Sequence, residues 1–448
     1  MDKPAKLAPY AVSRTLFRVI QANIRSSTMS RSPSGPYPAN NRPIHVEIMP
    51  HQISDQMPAQ LSQMLYAARW LGMFLVLGVH ATAIFINFNG LTPQTTSLFI
   101  SSWGIFVSYA FGRQAVIGFF VMSGFLVGGY VLARLNTPNP FLRDYFIHRV
   151  VRIYMVVIPA IVLTFLFDAI GRMIFPPDYG GYPIFEAHYE PRFILTNLLN
   201  LQGVIAPHYG SNGPLWSVGY EFWYYITFPL LLAPLISSVE KRRARSYAAL
   251  AAFFCVIISL RQIWFPFGFA LWALGALITL SDRPFISSAR RAFGLFLLTG
   301  FILGLAINKD VVLAHPWTQY VADTGTAIAF ANLILTMRFA GPIDWRLLDW
   351  PGHKTLADFS FTLYAIHNPT LMLLRSTTTA VLGTDWIAGA ASPIQWEALA
   401  TAMTVTIGLA FSLSQVSEGK VGAARRWVKS TLLRFWPDPA ASASVSRN

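Results

Sequence analysis

The sequence predicts an all-α, polytopic membrane protein with about ten transmembrane helices and both termini cytoplasmic, and three observations carry that prediction. First, the 448 residues are 54% hydrophobic and 12% charged, with a mean hydropathy of +0.46, too apolar for a protein whose whole surface meets water. Second, about ten apolar runs have bilayer-spanning length, roughly 17 to 25 residues each. Third, with the N-terminus inside, 28 of the 34 Lys and Arg fall on the cytoplasmic side. Only Arg113, Arg172, Arg192, Arg261, Lys309 and Arg375 fall outside, as expected where basic residues orient helices. The net charge of +14 therefore belongs to short segments that anchor helices and attract anionic lipid, and nucleic acid is not an expected partner. One cysteine, Cys255, excludes an intramolecular disulfide, a CxxC site and a thiolate cluster, and within AAFFCVIISL it reads as a small buried hydrophobe.

In chain order, residues 1–65 are a basic tail containing the linker-like SRSPSGPYPANN. Val12, Leu16, Val19 and Ile20 alternate there with Arg14, Arg18 and Arg25. A surface-lying basic helix, a targeting presequence and a disordered leader all fit, and the leader is the expectation. Residues 66–418 form the membrane domain, with runs near 66–88, 114–133, 153–175, 214–238, 246–262, 265–281, 291–307, 318–337, 356–378 and 396–416. Arg261, Pro266 and Gly268 mark a tight connection between the fifth and sixth. The segment 176–213 is rich in Pro, Gly and Tyr turns suited to contacting an external ligand. Residues 419–448 read as a basic cytoplasmic tail.

The first run holds Arg69 and His80, eleven residues apart, which on a helix is roughly 16 Å along the axis and close to three whole turns. Both lie on one face, and an ionisable group inside a span marks a functional site unless it snorkels or bonds a neighbouring helix. In the second run, Gly118, Gly124, Gly128 and Gly129 suit close helix packing, and Ser123 near the midplane can serve as a ligand group. Arg149 and Arg152, three apart at the inner boundary, suit either a phosphate grip or a membrane anchor. Asp168 reads as a paired structural acid. Glu221, roughly 10 Å below the outer surface, comes to a depth similar to His80, where a carboxylate could fix an imidazole tautomer. Around it, Trp216, Trp223, Tyr224 and Tyr225 form an aromatic belt that could also stack on sugar rings. In the ninth run, Asn368 and Pro369 break the helix beside His367, with Tyr364 one turn away. Glu418 reads as a helix-end charge. With no HExxH, CxxC or P-loop lysine motif, metal or nucleoside-triphosphate chemistry has no anchor.

Taken in order, these pieces resemble the acyltransferase 3 family of multi-pass membrane enzymes. The resemblance runs from about 66 to 418 and rests on six motifs. They are Arg69 with His80, GFFVMSGFLV at 118–127, Arg149-x-x-Arg152, PLWSVGYEFWYYITFPLLL at 214–232, FSFTLYAIHNP at 359–369, and the closing Glu418. The fourth carries the single acid Glu221 where the family often has a pair, and the last reads Glu418, Gly419, Lys420 without the family's proline.

The resemblance implies transfer of an acetyl or succinyl group from cytosolic acyl-CoA to a hydroxyl of an extracytoplasmic glycan or lipid-linked saccharide. The location it implies is a bacterial inner membrane, and acyl-CoA is a donor substrate rather than a resident cofactor. His80, Glu221 and His367 would be catalytic; Arg69, Arg149, Arg152 and Ser123 would hold acyl-CoA; Trp216, Tyr220 and Tyr364 would contact the acceptor. The span from Arg69 to His80 is comparable to a pantetheine arm. A secondary transporter or flippase is the main rival, and it should show inverted repeats. None stands out. A membrane acyltransferase of another family and a non-enzymatic sensor are further alternatives.

Overall fold

A computed structural model describes residues 57–89, 97, 109–179, 188–306, 314–341 and 345–435, all within one compact unit spanning 53–448. The tail reading for residues 1–56, and part of the turn-rich segment after 179, lie outside the described residues. Those described are helical, with short turns and three isolated bridges around His188 and Gln202, and no strand among them.

Each expected run is a helix. The first two are α1 (Ala59–Phe85) and α2 (Tyr109–Ser123), the latter continuing through a π-helical turn, Gly124–Gly128, to Leu132. Next come α3 (Leu142–Ile174), the short α4 (Pro191–Leu198), α5 (Trp216–Leu231), α6 (Lys241–Arg261), α7 (Trp264–Leu277), α8 (Ala289–Ala306) and α9 (Trp317–Phe339). The chain closes with α10 (Gly352–Asp358), α11 (Ser360–Leu382), α12 (Pro393–Ser414) and α13 (Val421–Phe435).

Five stretches are both long and apolar enough to cross a membrane: α1, α2, α3, α9 and Pro393–Leu432. Among the others, α5 has 16 residues, α7 has 14, and α11 carries His367, Asn368 and Arg375. The outer faces tell the same story as composition. Ile158, Val162, Phe165, Ile170 and Met173 of α3 and Leu250, Phe253, Val256 and Leu260 of α6 stand exposed, with Met173 at 84% and Leu260 at 79%. Apolar stripes of that extent belong against lipid, so the protein is an integral membrane protein.

Close backbone contact between α2 and α7 sets the centre of the bundle. A Cβ on Gly124 would overlap the carbonyl oxygen of Trp272, and one on Gly275 would overlap that of Val121. The small-residue spacing of the second run thus serves packing, as in membrane helices that approach closely. Two helix-interior prolines free carbonyls that side chains then satisfy. Pro369 leaves Ala365 without its helical donor and Asn212 Nδ2 donates to it at 2.9 Å; Pro229 does the same for Tyr225, whose carbonyl accepts from Tyr145 Oη at 2.9 Å. Asp168 is a structural acid, accepting from both the backbone N–H and the hydroxyl of Ser211, at 2.7 and 2.6 Å, and so pinning the segment that leads into α5.

Candidate active site

Five helices bring their polar residues to one cavity of about 280 Å³. Arg69 comes from α1, Ser123 from α2, Arg149 and Arg152 from α3, Ser217, Glu221 and Tyr225 from α5, and Ser360 and Tyr364 from α11 as a fifth wall. Among the described residues, none of the three guanidiniums has a carboxylate within ion-pair distance. Arg69 donates to Ser360 Oγ at 3.3 Å, and Arg149 lies near the rings of Tyr145 and Tyr225 with its Nε buried and unpartnered. Glu418 lies within electrostatic range of Arg69 and Arg152 and Glu221 lines the opposite wall, yet neither forms an ion pair with the arginines, so three guanidiniums with donors to spare suit an anion, most naturally phosphate.

Opposite them runs a chain of hydrogen bonds whose polarity follows from its ends. Trp272 Nε1 can only donate, and it reaches Ser123 Oγ at 3.1 Å. Tyr225 Oη donates to Glu221 Oε1, so the 3.0 Å contact between Ser123 and Tyr225 is a bond from the serine hydroxyl to the phenol oxygen. The direction Trp272 to Ser123 to Tyr225 to Glu221 aligns every dipole toward the carboxylate, a cooperative arrangement in an apolar surround. The π-helical turn begins one residue after Ser123, and such turns recur at functional sites.

His80 and His367 form a separate pair. Their Nδ1 and Nε2 atoms lie 2.8 Å apart, with ring planes at 19° and centroids 4.9 Å apart, the geometry of an in-plane bond between two ring edges. The tautomers follow from the next contact. His367 Nδ1 lies 2.7 Å from the Tyr364 carbonyl oxygen, which only accepts, so that nitrogen carries the proton and His367 Nε2 carries the lone pair. His80 must then donate from Nδ1, which puts its own lone pair on Nε2.

The structure sorts the expected residues into these two groups. Arg69, Arg149, Arg152, Ser123, Glu221 and Tyr364 line the cavity, and Tyr364 is also the residue that holds His367. His80 and His367 are not in its lining, so the cavity reaches Arg69 and Met73 on α1 and stops short of the imidazole. The carboxylate expected beside His80 is elsewhere: Glu221 bonds Tyr225, and the partner of His80 is His367. Trp216 and Tyr220 stand outside the cavity, Trp216 edge-on to Phe120 and Tyr220, and Tyr220 2% exposed among Trp216, Tyr224 and Phe265.

Glu418 is a helix-end charge, but for another helix. Its Oε2 accepts from the backbone N–H of Thr362 at 2.9 Å and from that residue's hydroxyl at 2.7 Å, capping the first turn of α11. Sequence reasoning overlooked Ser217, whose hydroxyl meets Tyr364 Oη at 2.6 Å while the phenol donates to the Pro214 carbonyl at 2.8 Å. Its position one turn before Glu221 on α5 was the available signal.

Compared with known families, the chain matches the acyltransferase 3 model, described as an acyltransferase domain, over residues 65–413. The chain belongs to the acyltransferase 3 family. No curated protein and no solved structure matches it. Membership agrees with the order of motifs, from Arg69 on α1 to the FSFTLYAIHNP segment of α11, and makes the protein a membrane acyltransferase. As an acyltransferase 3 domain, it has an arginine-lined cavity and an imidazole pair connected through Tyr364.

Proposed function

We propose that the protein is a membrane O-acyltransferase of the bacterial inner membrane. It moves an acetyl or succinyl group from cytosolic acyl-CoA to a hydroxyl of an extracytoplasmic glycan or lipid-linked saccharide. The observation that carries this reading is the cavity whose three arginines form no ion pair and whose wall, Tyr364, also holds the histidine pair. Phosphates of the donor bind Arg69, Arg149 and Arg152, and the pantetheine arm enters the cavity. At about 280 Å³ the cavity sits at the lower end of ligand pockets, suited to a narrow arm.

The chemistry is acyl transfer assisted by a base. His80 Nε2 takes the proton of the acceptor hydroxyl as its oxygen attacks the thioester carbonyl. The tetrahedral intermediate collapses, the carbon–sulfur bond breaks, and the CoA thiolate leaves with the proton returned from His80. His367 places the lone pair of neutral His80 on Nε2 and, as acceptor of its Nδ1–H, stabilises the imidazolium once Nε2 is protonated. Attack by Nε2 on the thioester itself, giving an acyl-imidazole that the acceptor then cleaves, uses the same geometry. Tyr364 stands where the donor must pass from cavity to imidazole, so its side chain moves during turnover.

The test is transfer of label from acetyl-CoA to membrane glycan, released by mild base. His80→Ala should abolish transfer while the protein remains folded in the membrane, and normal product from that variant would reject the assignment. Loss of surface acetyl or succinyl in the mass spectrum of cells lacking the chain names the acceptor. Glycan movement across vesicles with no dependence on acyl-CoA would make the protein a transporter instead.

A further inference from the structure

The cationic set does not end at the cavity. α13 lays Val421, Ala424 and Val428 against Ile147, Val151 and Met155 of α3, and Lys429 pairs with Asp144 at 3.0 Å. That register brings Arg425 within electrostatic range of Arg149 and Arg152, and His148 within range of Arg425 and Arg149. The Nε atoms of Arg425 and Arg149 are both buried without a hydrogen-bond partner. The acid on this turn of α3, Asp144, pairs with Lys429 through Oδ2, lies within electrostatic range of His148, and forms no ion pair with Arg149 or Arg425. Packing α13 here brings like charges together, a repulsion that an anion bound between them would relieve.

The donor supplies one of suitable shape. Acyl-CoA ends in a nucleotide with a diphosphate and a phosphomonoester, too bulky for a cavity of about 280 Å³, so that end must lie outside, beside the arginines that border it. We propose that Arg425 and His148, with Arg149, form a second anion subsite that holds the nucleotide phosphates of acyl-CoA, making α13 part of the donor site. This rests on the reading of acyl-CoA as donor and adds a residue beyond the matched family segment, 65–413. A lipid headgroup carries the same phosphate chemistry, and the experiment separates the two.

The full-length protein is assayed in neutral detergent with acetyl-CoA, acetyl-dephospho-CoA and S-acetylpantetheine. Arg425→Gln should raise KM for acetyl-CoA about tenfold, the loss of one charge-assisted bond, and leave kcat and the KM for S-acetylpantetheine unchanged. His148→Gln should follow the same pattern more weakly, and Arg425→Lys should restore part of the affinity. Unchanged S-acetylpantetheine kinetics also reports that the variant is folded. An equal rise with both donors, or no rise with acetyl-CoA, overturns the subsite. So does a rise that appears only when phosphatidylglycerol is added, which makes it a lipid site. Wild-type protein that uses S-acetylpantetheine as readily as acetyl-CoA overturns the subsite alone, whereas wild type inactive with every thioester overturns the donor reading itself.

Discussion

Replacing His367 with Phe is the sharpest test of the histidine pair, because it removes an acceptor while keeping an aromatic ring of similar size. His367 is 0% exposed and its Nε2 accepts the Nδ1–H of His80 at 2.8 Å. Without it, His80 either keeps a buried donor unsatisfied or moves its proton to Nε2, where the lone pair is needed. Leaving a buried donor unmade costs about 1–3 kcal/mol, and at about 1.4 kcal/mol per decade that is a roughly five- to 150-fold loss of rate. The loss should fall on kcat with donor KM unchanged, since the cavity proposed to bind the donor does not include either histidine. His367→Gln should recover part of the rate, as its amide oxygen can accept the same bond. The double variant with His80→Ala should be no worse than His80→Ala alone, because His367 acts only through His80. Steady-state transfer by purified protein in detergent measures all four. Wild-type kcat in His367→Phe, or a further drop in the double variant, refutes the tautomer argument.

Three further outcomes are expected. Arg152→Gln should raise donor KM about tenfold or more with kcat nearly unchanged, as removal of one charge-assisted phosphate contact predicts, and a donor titration at constant ionic strength reads it. Gly124→Ala should cost about 1–3 kcal/mol by driving α2 from α7, visible as a lowered Tm, whereas Gly300→Ala on α8, where a Cβ meets nothing within 4 Å, should leave Tm unchanged or slightly raised. Asp178→Asn should lower stability by about 3–5 kcal/mol by stranding the charge of Arg375. Arg375 pairs with Asp178 at 3.1 Å with the two side chains only 10% and 8% exposed, so combining that change with Arg375→Met should recover much of the loss.

Helical periodicity made individual elements legible and left their pairings hidden. Arg69, Ser123, Arg149, Arg152, Glu221 and Tyr364 stand out as polar groups in apolar runs, and the fold collects all six around one cavity. What no spacing reveals is which helices touch. His80 and His367 are 287 residues apart, and a shared depth suggested Glu221 as partner when Tyr225, one turn along its own helix, was nearer to hand. Glu418 caps a helix 56 residues earlier, a contact that only tertiary packing creates. The apolar positions 421, 424 and 428 do follow a helical stripe, yet four Lys and Arg between 420 and 429 make the same stretch read as a tail.

Among the helices that miss the test of apolarity, α11 lines the candidate site, and its failure has a cause. α11 packs against α1, α3 and α12, and every residue from Thr362 to Met372 is buried. A helix so enclosed owes lipid no apolar face, so it can carry His367, Asn368 and Arg375 provided protein groups satisfy them. Partners come from outside the helix: His367 is held by His80 of α1, Asn368 donates to the Ser211 carbonyl while its Oδ1 stays without a hydrogen-bond partner, and Arg375 donates to Asp178 and the Ile84 carbonyl. Hydropathy scores a helix against lipid, whereas α11 has been placed in a solvent made of the other helices. Low apolarity in α11 therefore marks a helix enclosed by protein, and this one forms a wall of the candidate site.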